Sequence, residues 1–199
     1  MTYKDLTGEG EVTPGASTLE NHGDLKRIGN NSPRYRVGLN LDAAWKGIDF
    51  SIFFQGVLKR DWMFDAGDPY FWGAGSGMWQ AACFEEHMDY WTPENTDAYY
   101  PKPYFNETKN QQAQDAYMQK ASYLRCKNIQ LGYTLPTHIT EKAGISNCRI
   151  YLSCDNLFTI TGLSSVYDPE VFGSYDGYGT SGKTYPLQRT ISVGVNLNF

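Results

Sequence analysis

Between Trp62 and Tyr104 the chain concentrates flat, amphipathic rings: Trp62, Phe64, Tyr70, Phe71, Trp72, Trp79, Trp91, Tyr99, Tyr100 and Tyr104. Such faces stack on sugar rings or peptide side chains, and a few directed polar groups beside them make a site for a polar solute. Asp61, Asp65 and Asp68 bring carboxylates that could accept sugar hydroxyls, although Asp68-Pro69 is also an ordinary turn starter. The substrate-binding set expected from these types is Trp62, Asp65, Trp72, Trp79, Trp91, Tyr99 and Tyr100. The competing reading is that the rings pack this segment against itself or contact a partner protein.

No catalytic constellation accompanies them, so the chain reads as a non-enzyme. His22, His87 and His138 are scattered, and Glu85-Glu86-His87 lacks the H-E-x-x-H arrangement of a zinc hydrolase. Asp168-Pro169-Glu170 sets two carboxylates two residues apart, but the proline favours an extended residue before it and a rigid turn. No nucleophile elbow and no phosphate-cradling loop with its lysine occur. Cys83, Cys126, Cys148 and Cys154 have neither C-x-x-C nor zinc spacing, and no metal site is expected. Cys148 and Cys154 fall on one face of an expected strand, roughly 20 Å apart and beyond disulfide reach.

The net charge of −5, from 17 basic and 22 acidic residues, gives no concentrated basic face for nucleic acid. Aromatic residues make up 15% of the 199, with 20 glycines, a balance that suits strand surfaces, sugar platforms and membrane interfaces alike. No run of about 18 apolar residues exists, which excludes an α-helical span but not a barrel of ten-residue strands. Met1 to Asp5 does not resemble a signal peptide, so an exported protein would be represented here without its own leader.

The elements that must position these residues are strands. From Thr190 to Phe199, Ile191, Val193, Val195, Leu197 and Phe199 alternate with Thr190, Ser192, Gly194, Asn196 and Asn198. Successive strand side chains point to opposite faces, so this is a strand with one apolar and one polar face. Similar alternation predicts strands at about 34–45, 48–58, 123–135 and 148–158, the first two joined by the Lys46-Gly47 turn. Residues 1–33 read as polar loop, and 59–121 and 159–186 as long loops. Thr137–Gly144 reads as one helical turn or a compact turn.

Short and long connections therefore alternate, as at the two rims of an outer-membrane barrel. The expected fold is all-β: the C-terminal segment of a large antiparallel transmembrane β-barrel, about five strands with two long extracellular loops. Arg36, Asn40, Asp42, Gln55, Arg149, Asp155 and Asn196 would then line its watery lumen, together with Asp49 and Asn198. A soluble antiparallel sandwich, functioning as a carbohydrate-binding module, has the same order of elements and stays open as the alternative.

Several segments together resemble the C-terminal part of the SusC/RagA family of TonB-dependent outer-membrane transporters. They are Ile28-Gly29-Asn30 with Pro33-Arg34-Tyr35, Gly38-Leu39-Asn40-Leu41, Trp45-Lys46-Gly47-Ile48-Asp49-Phe50-Ser51 and Phe53-Phe54-Gln55-Gly56-Val57. In the same order follow Trp91-Thr92-Pro93-Glu94-Asn95, Ala121-Ser122-Tyr123-Leu124-Arg125-Cys126-Lys127-Asn128 and Leu131-Gly132-Tyr133-Thr134-Leu135-Pro136. Asp155-Asn156-Leu157-Phe158-Thr159, Tyr167-Asp168-Pro169-Glu170 and Tyr185-Pro186-Leu187 complete the series. None is specific alone; their shared order over nearly the whole chain is.

The resemblance implies a plugged barrel of about 22 strands, membrane lipid around it, and a place in the bacterial cell outer membrane. It also implies import of oligosaccharides or peptides with a surface-exposed SusD-like lipoprotein, driven by the TonB complex through an N-terminal part not in this chain. Asp5-Leu6-Thr7-Gly8-Glu9-Gly10-Glu11-Val12 resembles a calcium-loop-like stretch of many relatives. Thr7 and Glu9 replace the expected Asn and Asp, and Ala16 stands at the closing carboxylate position, so a polar turn is favoured over bound calcium.

Overall fold

A computed structural model describes residues 3–76, 81–105, 109–171 and 184–199. The chain divides into two compact units, Met1–Asn30 with Trp62–Met118, and Asn31–Asp61 with Gln119–Phe199.

The second unit is a sheet. Strands β1 (Arg34–Trp45), β2 (Ile48–Lys59), β4 (Gln119–Thr134), β5 (Asn147–Asp155) and β7 (Thr190–Asn198) lie side by side in the order β1-β2-β4-β5-β7. Each neighbouring pair is antiparallel. Short strands β3 (Asp61–Trp62) and β6 (Thr159–Gly162) also pair with β4. At the Lys46-Gly47 turn both residues have positive φ, 48° and 86°, as a tight two-residue hairpin requires.

The register sorts the side chains by face. Leu39, Phe54 and Cys126 line up across three strands, as do Leu131, Leu152 and Val193. Asp49, Gly132, Tyr151 and Gly194 line up on the other face. The apolar face is uncovered: Ile191 is 67% exposed, Val193 74%, Val195 54% and Leu197 45%. A self-contained sandwich would enclose these side chains, so a two-layer soluble module does not describe this unit. An apolar face this wide marks a surface that is covered in the working molecule.

The expected architecture is corrected on one point. β1 and β7 are both edge strands with no pairing between them, so the sheet is open and does not close into a barrel. No helix among the described residues is long and apolar enough to cross a membrane. The fold comprises an open β-sheet unit and a separate irregular unit, not the transmembrane β-barrel segment anticipated. Alternation fixes which face of a strand is apolar. Closure needs a strand number, tilt and stagger that the pattern of one segment does not contain.

Two further details departed from simple alternation. β4 carries a bulge, its register shifting at Phe53/Phe54 so that Phe53 faces Asn128 and Phe54 faces Cys126. β5 stops at Asp155 because Asn156 takes φ 50°, yet the ladder continues around the bend. Asn156 and Leu157 donate their N–H groups to the carbonyls of Lys127 and Cys126, and Cys126 donates back to Phe158. After Pro136, α1 (Thr137–Thr140) and a 3-10 turn at Glu141–Ala143 end on Gly144 in the left-handed conformation.

The first unit is built on rings rather than on regular structure. Its only regular pieces among the described residues are 3-10 turns at Gly73–Gly75, Glu85–Met88 and Asp115–Tyr117.

Candidate functional site

Phe64, Phe71, Trp72, Tyr100 and Tyr117 are all at least 95% buried and form the core of the first unit. Phe71 stacks on Phe64 at 4.5 Å and meets Trp72, Tyr100 and Tyr117 edge-on at 4.7, 5.7 and 6.2 Å. Edge-to-face and offset pairs of this kind add about 0.5–1.5 kcal/mol each beyond the area they bury.

Polar side chains staple this core. Asp68, 1% exposed, accepts the N–H groups of Tyr70 and Phe71 at 3.1 and 2.9 Å, so the Asp68-Pro69 pair is a turn inside the core. Gln111 accepts from Gly67 N–H and donates to the Gly75 carbonyl, both at 2.7 Å, bridging residues far apart in sequence. His87 Nδ1 accepts the Phe84 N–H at 3.0 Å, which leaves Nε2 to donate to the Phe71 carbonyl at 3.1 Å. Gly73 has φ 54°, and a Cβ there would stand 2.7 Å from His87 Nδ1, so the ring's seat requires glycine.

Burial pushes the phenols of Tyr100 and Tyr117 well above their ordinary value, with the charges of Glu86 beside Tyr100 and of Tyr99 beside Tyr117 adding to it. In the unfolded chain both ionise near pH 10. Their contribution is therefore whole below that pH and is lost as pH rises towards the folded value. Alkaline titration followed at 295 nm is expected to show these two phenols ionising only with loss of near-ultraviolet ellipticity. All the phenols titrating together near pH 10 with the near-ultraviolet ellipticity intact would contradict the burial.

The Trp91-Thr92-Pro93-Glu94-Asn95 segment is a closed turn on the surface of this unit. Asn95 donates its backbone N–H to the Thr92 carbonyl and its side-chain amide to Asp89 Oδ1 at 3.0 Å, while Tyr99 N–H donates to Asp89 Oδ2 at 3.1 Å. The amide and then the N–H hold the Asp89 carboxyl below its usual value. Trp91 and Tyr99 project from this frame and are 40% and 39% exposed.

The predicted binding set thus divides. Trp72 and Tyr100 are core, and Trp62 is half-buried in β3. Asp65 is exposed, but its carbonyl accepts the Trp72 indole N–H at 2.9 Å. Trp91 and Tyr99 keep open faces, and Trp79 lies outside the described residues. A cleft of about 80 Å³ between Trp72, Cys83, His87, Met88 and Tyr100 is well below the roughly 300 Å³ that a small-molecule pocket needs.

Asp5 and Asp24 tie the N-terminal loop through backbone N–H groups. Asp5 accepts the N–H groups of Gly8 and Gly10 at 2.6 and 2.7 Å, and Asp24 accepts those of Leu6, Thr7 and Thr13 at 2.5, 3.0 and 2.8 Å. No group of three or more His, Cys, Asp or Glu placed to hold a metal occurs among the described residues. The N–H donors depress both carboxyls below their usual range. The loop's stability is therefore complete above about pH 4, the unfolded value, and lost as pH falls through the lower folded value. Amide exchange at Gly10 and Thr13 is expected to accelerate as pH drops below 4, after correction for intrinsic rates. Unchanged protection down to pH 2 would contradict this.

On the sheet, the predicted polar residues Arg36, Asn40, Asp42, Gln55, Arg149, Asp155 and Asn196 all stand on the polar face by register. Arg149 donates to Asp49 through Nε at 2.9 Å and through Nη2, and to Gln130 at 3.1 Å, while its guanidinium stacks 5.0 Å from the Tyr151 ring centroid. The ion pair lies over Gly132, where a Cβ would stand 2.5 Å from both partners. Asn128 bonds Ser153 and Asp155 across the same face, and Asn40 bonds Asp42. Arg149 and Asn128 thus join neighbouring strands across this face.

Arg125 is the residue that alternation did not single out. It is 3% exposed and donates from Nη2 to Asp168 at 2.7 Å, from Nη1 to Glu170 at 3.0 Å and from Nε to Thr159 at 2.8 Å. Lys127 reaches Glu170 at 3.1 Å, and Asp168 also accepts the N–H groups of Glu170 and Leu187. Asp168-Pro169-Glu170 is therefore a clamp that fastens residues 163–171 and Leu187 to the polar face of β4. The signal in the sequence was the carboxylate pair; its partner lay 43 residues upstream.

No family model matches the chain. TonB-dependent receptor P3 of Formosa agariphila is 29% identical over 204 residues, and TonB-dependent receptor P26 of the same organism is 26% identical over 205. Each alignment takes in 99% of this chain but 19% of the relative, so the chain spans about a fifth of the length of the curated proteins it matches. The solved structure of the RagAB peptide transporter superposes with a TM-score of 0.62 at 29% identity, covering 84% of this chain and 18% of that one. The RagAB peptide importer in its open-open state superposes at 0.61 and 29%, covering 85% and 17%.

Along nearly its whole length this chain is similar to part of TonB-dependent receptors and of the RagAB peptide transporter. The proteins it matches are receptors and importers. Its clamp, its closed Trp91–Asn95 turn and its glycine-seated ion pair are positioning devices, each holding an irregular stretch or a long side chain in one place.

Proposed function

We propose that this chain serves an outer-membrane, TonB-dependent importer of oligosaccharides or peptides, working with a surface lipoprotein and energised by the TonB complex. The observation that carries this reading is the alignment of 99% of the chain with a TonB-dependent receptor, joined to superposition on the RagAB peptide transporter. Within that role the open faces of Trp91 and Tyr99 meet the solute or the lipoprotein. Trp72 and Tyr100 support them from below, and the polar face of the sheet borders the aqueous side. The exposed apolar face agrees with a chain that works inside a larger assembly rather than as a free module.

The test is uptake in the living cell. Deleting the gene is expected to abolish accumulation of labelled oligosaccharides or peptides of a size too large for passive entry, and dissipating the proton-motive force is expected to do the same in the wild type. Trp91→Ala with Tyr99→Ala should lower uptake while the protein level stays constant. Accumulation that continues in the deletion strain, or that ignores the proton-motive force, would sink this reading.

A further inference from the structure

A slot in the first unit is too small for a whole ligand but has the size of one side chain. It runs between Trp72, Ala74, His87, Met88, Tyr100 and Pro101 and offers about 80 Å³. An apolar cavity of about 150 Å³ holds benzene, so this one takes roughly three or four carbons and no sugar or aromatic ring. Its walls are set before anything enters: His87 meets Tyr100 edge-on at 5.0 Å, and the two residues are 7% and 5% exposed. The nitrogens of those walls are already engaged. Trp72 Nε1 donates to the Asp65 carbonyl, His87 Nδ1 accepts from Phe84, and Nε2 donates to the Phe71 carbonyl. A hydroxyl-bearing group would lose water on entry and gain no partner from either ring, whereas hydrocarbon gains by leaving water.

The rim adds a charge. Glu86 is close enough to Tyr100 for its charge to bear on the phenol, and Glu85 and Asp89 flank the lining residues His87 and Met88 along the chain. Asp89 is held in its ionised form by the Asn95 amide and the Tyr99 N–H. Lys102, in the proline wall, lies over the Tyr104 ring at 5.7 Å. A fatty acid would bring its carboxylate to this acidic rim and be repelled. An aliphatic residue bearing an α-ammonium gains from wall and rim together.

We infer that this slot is a subsite for the amino-terminal residue of a peptide, taking a compact aliphatic side chain of valine size with its α-ammonium at Glu86. The inference rests on the importer reading for the peptide's role as cargo. It narrows that cargo from oligosaccharides or peptides to peptides with an aliphatic first residue.

Equilibrium binding to the intact protein that carries this chain tests it with peptides Xaa-Gly-Ser-Gly-Ser amide whose first residue is glycine, valine or phenylalanine. Each seated carbon contributes roughly fourfold, so the valine peptide is expected to bind about tenfold or more tightly than the glycine one. The phenylalanine peptide should gain nothing over glycine, its ring being too large. Acetylating the valine peptide should cost up to about fivefold, the range of an exposed ion pair. Glu86→Gln should cost the same, and nothing further once the peptide is acetylated. Ala74 is exposed at the slot wall, so Ala74→Leu fills the space without entering the core, and the valine preference should vanish. Met88, 66% exposed, allows the opposite change: Met88→Ala enlarges the slot, and phenylalanine should gain on valine. The proposal is overturned if neither peptide binds, if glycine and valine bind alike, or if Ala74→Leu keeps the valine preference. Displacement of the valine peptide by equimolar sodium isovalerate or maltotriose would overturn it too, by showing a slot for fatty acids or sugars. Energy-dependent uptake without a valine preference would remove the slot alone; a valine preference without energy-dependent uptake would leave the slot and remove the importer.

Discussion

Arg125→Ala is expected to detach the Asp168-Pro169-Glu170 segment from the sheet. The guanidinium is almost wholly buried, and Asp168 beside it has a side chain only 6% exposed. Removing the cation leaves a buried carboxylate facing another with Lys127 as the remaining cation in the network. Truncating one partner of a buried ion pair costs about 3–5 kcal/mol, and the upper half of that range fits a residue with three side-chain acceptors. The Leu187 and Glu170 amides, both bonded to Asp168, should lose protection against hydrogen exchange in parallel. Arg125→Lys should recover little, because an ammonium cannot span Asp168, Glu170 and Thr159 in one plane. Arg125→Met combined with Asp168→Asn and Glu170→Gln should lose less than Arg125→Ala alone, since no charge is then stranded. A loss under 1 kcal/mol with both amides still protected would refute the clamp.

Tyr117→Ala should collapse the aromatic core of the first unit. Tyr117 has no exposed surface and meets Trp72 at 4.8 Å, Tyr99 at 5.5 Å and Phe71 at 6.2 Å, each nearly perpendicular. Deleting a buried aromatic side chain costs about 3–5 kcal/mol, from lost transfer energy and from the cavity left behind. Near-ultraviolet circular dichroism and tryptophan fluorescence should report the loss together, because the ring touches Trp72. Tyr117→Phe keeps the packing and should cost no more than about 1.5 kcal/mol, the net value of a hydrogen bond. If Tyr117→Ala left the near-ultraviolet spectrum intact but weakened solute binding, the rings would be a binding surface and not a core.

These two residues mark where the sequence could and could not be read. Alternation over 190–199 and over 34–58 carries its own face assignment, because a strand's side-chain period is two whatever its neighbours are. Arg125 interrupts no pattern, so alternation alone does not mark it. It becomes a buried clamp only because Thr159 pairs opposite it and the loop after β6 folds its carboxylates back onto the same face. In the same way, Trp72 and Tyr100 look like sugar platforms by type. Whether a ring is platform or core depends on what covers it, and Phe71 and Tyr117 do. Trp91 and Tyr99 differ from them only by standing on a turn that lifts them to the surface.

The likeness to TonB-dependent receptors is written in the order of short segments, each tied to a local device that any length of chain can encode: a hairpin turn, a closed loop, a glycine beneath a long side chain. The sequence alone therefore determined the strand faces and the kinship with TonB-dependent receptors. Only the tertiary structure decided that the sheet is open, that Phe64, Phe71, Trp72 and Tyr100 are interior, and that Arg125 with Lys127 fastens the Asp168-Pro169-Glu170 segment. Faces and turns are set by neighbours in the chain, whereas closure, burial and ion pairing are set by residues tens of positions away, whose meeting no local pattern records.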